Sequence, residues 1–248
     1  MEDIWSKWFK EGLRNFGIEI TENEIIKFRD YLNLIREWNK KFNLTGEKTE
    51  EAIAIKQFLD SLVPIYWNKN LSFKDGIDIG TGAGIPGIPL KIVLKDIKMI
   101  LVESMRKRFI FLEHCIDSLS LENVISVNKR GEELLGGEKF RENFDAVFAR
   151  WVLKIPGIFE ISIPFAKVKG RIFLWKGVDE VELIKSEEPF INELGGEIED
   201  IFVYRLPYFE SERALLVIKK VKETPDQFPR KWKVIKSLSS QQDKHRRE

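Results

Sequence analysis

Between Gly76 and Pro89 the chain reads Gly-Ile-Asp-Ile-Gly-Thr-Gly-Ala-Gly-Ile-Pro-Gly-Ile-Pro. An apolar run carries an acid, Asp78, and then three glycines follow at alternate positions, Gly80, Gly82 and Gly84. Glycines so spaced let the backbone turn through positive φ and let a ligand lie close against it. In an open parallel sheet, ligands bind outside the carboxyl ends of the strands, which is where this loop would stand. A second acid, Glu103, closes the next apolar run, 25 positions beyond Asp78. A carboxylate there can accept hydrogen bonds from both hydroxyls of a ribose. Dinucleotide sites use GxGxxG with a pyrophosphate on a helix N-terminus. Here the spacing is GxGxG, and an acid two residues before the first glycine would repel a pyrophosphate. An ammonium group tolerates that acid. S-adenosylmethionine has no phosphate but has an α-amino group and a sulfonium, so the residues favour it over a nicotinamide dinucleotide. Asp78 then belongs at its amino-acid end and Glu103 at its ribose.

Such a loop needs a sheet to hold it. After Leu71, short apolar runs alternate with helical stretches, at Gly76–Ile79, Lys98–Glu103, Val124–Val127, Phe144–Ala149, Arg171–Trp175, Ile198–Tyr204 and Ala214–Lys219. This alternation predicts βαβ units and an α/β fold with a buried, mostly parallel sheet. Helices are expected at about Ile88–Leu94, Lys107–Leu119, Ile155–Phe165 and Val181–Leu194, the last stopped by Gly195-Gly196. Pro86 and Pro89 suit a helix start. Residues 1–70 read as a helical segment packed on the main domain. Thr21-x-x-Glu24 has the form of a capping box, and Ile25, Phe28, Leu32, Ile35 and Phe42 recur at helical spacing up to a stop at Gly46. A second helix is expected from about Thr49 to Val63, ended by Pro64. Trp5, Trp8 and Phe9 would dock the first helix. Residues 71–220 form the ligand-binding domain and 221–248 a basic tail.

The chain of 248 residues is 43% hydrophobic and 33% charged, enough for a sizeable core in one α/β domain plus an appendage. One cysteine, Cys115, excludes an intramolecular disulfide and a thiolate metal cluster, and no metal site is expected. Acids near Met1 and the lack of a long apolar run predict a soluble, cytoplasmic protein with no membrane span. With no coiled-coil repeat in view, a monomer is expected. The net charge is +1, yet from Lys219 onward ten Lys and Arg face four Asp and Glu. A basic tail on a slightly acidic body suits a polyanionic partner. From about Glu223 two prolines and few apolar anchors lead us to expect disorder.

The string Gly-Thr-Gly-Ala-Gly-Ile-Pro-Gly-Ile-Pro-Leu has two prolines three apart. Here the chain resembles the bacterial small-subunit ribosomal RNA methyltransferases known as glucose-inhibited division protein B, which methylate ring nitrogen 7 of one guanosine in 16S ribosomal RNA. The resemblance runs from about Tyr31 to about Arg230. It takes in Trp38-Asn39-Lys40-Lys41-Phe42-Asn43-Leu44-Thr45, Phe58-Leu59-Asp60-Ser61-Leu62, Glu103-Ser104-x-x-Lys107-Arg108, Arg130-Gly131-Glu132-Glu133, Phe144-Asp145-Ala146-Val147-Phe148-Ala149-Arg150, Lys176-Gly177, Glu212-Arg213, Thr224-Pro225 and Pro229-Arg230. It implies a Rossmann-like class I methyltransferase with a seven-stranded, mostly parallel sheet, one strand antiparallel, and N-terminal helices. It implies S-adenosylmethionine as cofactor, with loop contacts at Gly80 and Ile85, ribose contacts at Glu103 and Ser104, adenine-side contacts at Gly131 and Glu132, and a further one at Arg150. Arg130, Lys176 and Arg213 match basic positions suited to RNA. Lys107 and Arg108 are RNA candidates or simply an exposed helix start. The implied partner is 16S ribosomal RNA or the small ribosomal subunit. Methylation of another RNA, or ribosome assembly without turnover, stands as the alternative.

The chemistry agrees with nitrogen 7. Its in-plane lone pair attacks without loss of a proton, so positioning suffices and no catalytic base is needed. His114 and His245 are the only histidines, and both read as structural or solvent-facing. The fourth run continues into Ala149-Arg150-Trp151-Val152, without the Asn/Asp-Pro-Pro-aromatic element that holds exocyclic amines. Arg150 can meet phosphate, guanine or a cofactor carboxylate. Trp151 either stacks on a base or packs in the core. Three places depart from the family: Gln57 stands where His is common, Trp151 where a small residue is usual, and the tail from Trp232 lacks the usual Pro-Gly.

Overall fold

A computed structural model of the chain describes residues 3–137 and 139–245, with 239–245 described by backbone alone. Helices α1 (Ile4–Phe16) and α2 (Glu22–Asn39) lead. The Thr21 hydroxyl accepts from the Glu24 amide while the Glu24 carboxylate accepts from the Thr21 amide, so the predicted capping box forms. Helix α2 ends at Asn39, seven residues before Gly46. The Asn39 side chain accepts from the amides of Leu44 (2.8 Å) and Thr45 (3.2 Å) and folds the chain back. The expected Thr49–Val63 helix is α3 (Glu50–Ile53) continued by a π turn (Ala54–Leu59). Pro64 opens the next helix, α4 (Val63–Trp67), instead of closing the previous one. Proline is tolerated in a first turn because its missing N–H would have been unpaired there.

The sheet follows as β1 (Asp75–Ile79), α5 (Gly87–Val93), β2 (Lys98–Val102), α6 (Arg106–Ser118), β3 (Val124–Val127), α7 (Gly131–Leu134), β4 (Phe144–Arg150), α8 (Gly157–Glu160), β5 (Ala166–Gly177), α9 (Val181–Ser186), α10 (Glu188–Glu193), β6 (Gly196–Arg205) and β7 (Glu212–Lys220). The seven strands lie in the order β3-β2-β1-β4-β5-β7-β6, and β7 alone runs antiparallel to its neighbours. All seven predicted strands are present. The expected Ile155–Phe165 helix shrinks to α8 and a 3-10 turn at Ile163–Phe165, and the Val181–Leu194 helix breaks at Glu187, two residues before Pro189.

Strand alternation sends side chains to two cores. Met99, Leu101, Ala146, Phe148, Phe173, Trp175, Leu215 and Val217 face one cluster together with Trp5, Phe9, Phe28, Phe58 and Leu59 of the N-terminal helices. Ile77, Ile79, Val147, Ala149, Ile172, Leu174, Leu216 and Ile218 face the other, with Phe159, Ile184 and Ile235. Parity therefore places Asp78 and Arg150 on the side of the N-terminal helices. Trp8 packs half-buried against the first cluster and stacks on Tyr208 of the β6–β7 turn at 4.1 Å.

The tail corrects the expectation of disorder. Phe228 is buried, and helix α11 (Trp232–His245) inserts Ile235 into the second cluster. Arg230 pairs with the fully buried Glu160 at 2.6 Å, and its guanidinium lies 5.4 Å over Phe228. Thr224 is buried against Lys220 and Leu194. A few anchors at suitable spacing were enough. Residues 246–248 lie outside the described residues. Arg230→Ala should leave the Glu160 carboxylate buried without a cation and lower stability by about 2 kcal/mol, the reduced value reflecting an arginine partly open to water. A urea unfolding midpoint equal to that of the parent protein would show that the tail contact contributes nothing.

Candidate functional site

The loop after β1 closes on its own acid. Asp78 is fully buried, and its Oδ2 accepts from the Thr81 hydroxyl and from the Gly87 amide at 2.9 Å. It thereby supplies the amide at the start of α5 with the acceptor that a helix N-terminus lacks. Asp78 Oδ1 is buried and has no partner. Gly80, Gly82 and Gly84 all have positive φ, at 65°, 61° and 90°. At Gly80 a Cβ would stand 2.7 Å from a methyl of Val152, so glycine is required there twice over, by φ and by space. From the helical layer, the buried Tyr31 hydroxyl donates to the Ala83 carbonyl and fixes the loop from outside. Ile85 is buried at the loop's end.

Glu103 binds the same loop from the next strand. Its Oε2 accepts from the Gly82 amide at 3.0 Å and its Oε1 from the Met105 amide at 2.7 Å, just before α6. Arg108 stands 4.0 Å from it, half-buried. Ser104 is exposed, and its carbonyl accepts from Asn128. After β3, Gly131 is buried under Ile79, and Glu132 is half-buried with its carboxyl pushed up by burial. Arg130 is exposed, its guanidinium 4.9 Å over the Trp232 ring of α11. Asp78, the three glycines, Ile85, Glu103, Ser104, Gly131 and Glu132 thus all lie at the carboxyl ends of β1, β2 and β3.

Arg150, Lys176 and Arg213 are held differently from what surface cations would show. Arg150 donates to Gln57 Oε1 (2.6 Å) and the Lys56 carbonyl (2.6 Å) and pairs with Asp60 at 2.9 Å. Its Nε is buried and unpartnered. Arg213 pairs with the same Asp60 oxygen at 2.8 Å. Lys176 is buried, 3.5 Å from Glu180, and burial pushes its ammonium pKa down. Strand β5 runs on to Gly177 with β7 paired alongside to Arg213, and this buries Lys176, which follows directly on the expected strand Arg171–Trp175. Of the α6 pair, Lys107 is exposed and Arg108 half-buried.

Sequence reasoning missed Asp60, which is fully buried. Besides the two arginines it accepts from the Tyr204 hydroxyl at 2.6 Å, and its carbonyl accepts from Trp175 Nε1 at 2.9 Å. The Phe58-Leu59-Asp60-Ser61-Leu62 string was the available signal, since an acid in an apolar helical run must find partners if buried. Gln57, which departs from the family, is the acceptor that orients Arg150. His114 is exposed, its ring 5.5 Å from Trp38, and Cys115 is buried with its thiol pushed up by burial. Both lie within α6, away from the glycine loop in the chain.

Among the described residues, two buried side-chain atoms lack partners, Asp78 Oδ1 and Arg150 Nε. One is an acceptor on an acid and the other a donor on a base. They sit on adjacent strands and on one face, since Asp78 pairs in register with Phe148, two residues before Arg150. Arg150 is close enough to lower the Asp78 pKa. An amino-acid zwitterion, with ammonium and carboxylate, matches that pair. Gly80 and Gly82 are half-buried and leave the backbone approachable, whereas Gly84 is buried, and the lone pairs left on Glu103 suit hydroxyl donors.

The chain has recognisable relatives. Residues 24–208 match the family described as rRNA small subunit methyltransferase G. A protein of Acetivibrio thermocellus named ribosomal RNA small subunit methyltransferase G is 40% identical over 223 residues, covering 89% of this chain and 90% of the relative. One of the same name from Carboxydothermus hydrogenoformans is 39% identical over 222 residues, covering 90% and 94%. Among solved structures, TrmN from Thermus thermophilus superposes with a TM-score of 0.51 at 13% identity, covering 66% of this chain and 48% of that one, and so shares the fold.

Burial raises the Asp78 carboxyl from 3.8 to about 7, against the Thr81 and Gly87 hydrogen bonds and the Arg150 charge, which lower it. Below about pH 4 the group is protonated both folded and unfolded. As pH rises to 7 the unfolded chain ionises first, so the contribution to stability is lost across that window. Asp78→Asn, whose amide oxygen can still accept from Thr81 and Gly87, should therefore gain roughly a few kcal/mol relative to the parent protein between pH 4 and pH 8. Urea unfolding of both proteins at the two pH values checks it, and a difference independent of pH would refute the raised pKa.

Proposed function

The chain belongs to the rRNA small subunit methyltransferase G family, and from that premise we propose that it methylates nitrogen 7 of a guanosine in 16S ribosomal RNA. S-adenosylmethionine supplies the methyl group as a sulfonium. The observation that carries this reading is the orphaned pair at the loop, Asp78 Oδ1 and Arg150 Nε. Asp78 would take the cofactor's ammonium and Arg150 its carboxylate. Such pairing relieves two buried groups that otherwise lose the hydration they had in the unfolded chain. Gly80, Gly82, Gly84 and Ile85 would cradle the cofactor, Glu103 and Ser104 would meet the ribose, and Gly131 and Glu132 the adenine side. Glu103 already holds two amides, so it is oriented before any ligand arrives.

The remaining work is positioning. Guanine nitrogen 7 presents its lone pair without deprotonation, which agrees with a loop rim that carries no histidine and no thiol. Lys107 and Arg108 in the first turn of α6 after β2, and Arg130 after β3, suit phosphates. Lys176 and Arg213 would act on RNA only through the residues they brace. Among the described residues no helix is long and apolar enough to cross a membrane. A substrate of this kind places the protein in the bacterial cytoplasm, in contact with the small ribosomal subunit or its RNA.

Labelled methyl transfer to undermethylated small subunits, naked 16S RNA and transfer RNA is the direct assay. The expected labelled nucleoside is 7-methylguanosine from 16S RNA, and a different product would refute the regiochemistry. Gly80→Asp adds a charge and a side chain where φ is positive and Val152 already fills the space. Calorimetric titration should find cofactor affinity reduced by at least about a hundredfold in protein whose circular dichroism is unchanged. Retained binding would mean that the cofactor sits elsewhere.

A further inference from the structure

Trp151 is the most exposed large apolar side chain among the described residues, at 65%. Its backbone is left-handed, with φ at 56°. A bulky side chain adopts that region at a cost, and such strain persists only where the surroundings impose it. Both neighbours do so. Arg150 is held by Gln57, Lys56 and Asp60, while Val152 lies against Gly80 of the loop. Parity would have sent residue 151 after Ala149 into the second core, but the left-handed turn puts the ring outside instead. The other six tryptophans are engaged. Trp5 is buried, Trp8 stacks on Tyr208, Trp38 meets Phe111, Trp67 and Trp175 donate hydrogen bonds, and Trp232 lies under Arg130.

We infer that Trp151 is the platform on which the target guanine stacks, and that its indole face favours the base as the base becomes cationic. The inference rests on the guanine nitrogen 7 reading. In that reaction the nitrogen lone pair forms the bond to the methyl carbon as the carbon–sulfur bond breaks and leaves its electrons on sulfur. No proton moves, and one positive charge passes from sulfur to the purine. Cations at the rim, such as Arg130 and Lys107, gain nothing from that transfer. An indole face attracts a cation and so binds the product-like ring more strongly than the neutral one. An attraction that grows along the reaction raises kcat beyond what stacking adds to binding. Trp151 directly follows the carboxyl end of β4, which pairs with β1, and its neighbour Val152 lies against Gly80 of the loop where the methyl donor is proposed to lie.

Three variants test this: Trp151→Gly, Trp151→Leu and Trp151→Phe. Glycine adopts a φ of 56° without strain, so Trp151→Gly should melt at the same or a higher temperature while kcat for RNA falls about ten- to a hundredfold. Cofactor affinity should not change. Phe should restore most of kcat, and Leu, equally apolar but without a π face, should not. Without any cofactor present, the parent protein should bind a 16S fragment carrying 7-methylguanosine more tightly than the same fragment carrying guanosine, and Trp151→Leu should lose that preference. A lower melting temperature in Trp151→Gly would make the ring a packing element and overturn the inference. So would a Leu variant as active as Phe, or one that keeps the preference for methylated RNA. A parent protein that forms no 7-methylguanosine would refute the functional reading and this inference with it. Product formation with kcat unchanged in all three variants would refute this inference alone.

Discussion

Burying one carboxylate organises the upper rim of this molecule. Asp60 stands in the N-terminal helical segment, which shares no strand with the sheet. An unpaired charge in that position would cost several kcal/mol, and the chain meets the demand with Arg150 from β4, Arg213 from β7 and the Tyr204 hydroxyl from β6. The Asp60 carbonyl takes Trp175 from β5. One residue thus gathers the ends of four strands. Tyr204 stays a donor because burial, first, and the Asp60 charge hold its pKa far above the usual phenol range. The orientation of Arg150, and through it the position of the chain at Trp151, follows from that gathering.

The two acids of the glycine loop shape it in different ways. Asp78 Oδ2 closes the loop and caps α5, while Oδ1 is left over. Glu103 spans Gly82 and Met105 and so joins the loop to α6. These hydrogen bonds tie the loop to β1, β2 and the starts of α5 and α6. Asp78 makes its hydrogen bonds through one oxygen alone, whereas Glu103 uses both oxygens and keeps one lone pair on each.

Much of this was legible in the chain. The strands could be found because short β-branched and aromatic runs alternate with longer amphipathic stretches, and Asp78 and Glu103 because their distances from the glycines are set by the length of a βαβ unit. What escaped were partnerships across long separations. Arg150 meets Gln57 and Asp60 some ninety residues away, and Arg213 meets Asp60 from further still. Read alone, each looks like a free cation. Lys176 looked like the end of a strand because nothing local says that β5 continues beside β7. Pro64 was taken for a stop because a first-turn proline and a terminating one look alike without the helix that follows. Helix α11 was missed because one buried residue, Ile235, and an aromatic–arginine contact do not register as an apolar face.

The π turn at Ala54–Leu59 gives these partnerships a further consequence. A residue in an α-helix advances about 100° around the axis, and a π turn shifts the face that follows it by an extra residue. Phe58 and Leu59 point into the core while Gln57 and Asp60 reach the strand ends only because the turn carries that extra residue. The spacing from α3 to Asp60 therefore behaves like a gear with a single meshing position. Any change in length there would carry Asp60 away from both arginines, so a segment remote in sequence from the glycine loop should accept substitutions more readily than insertions or deletions.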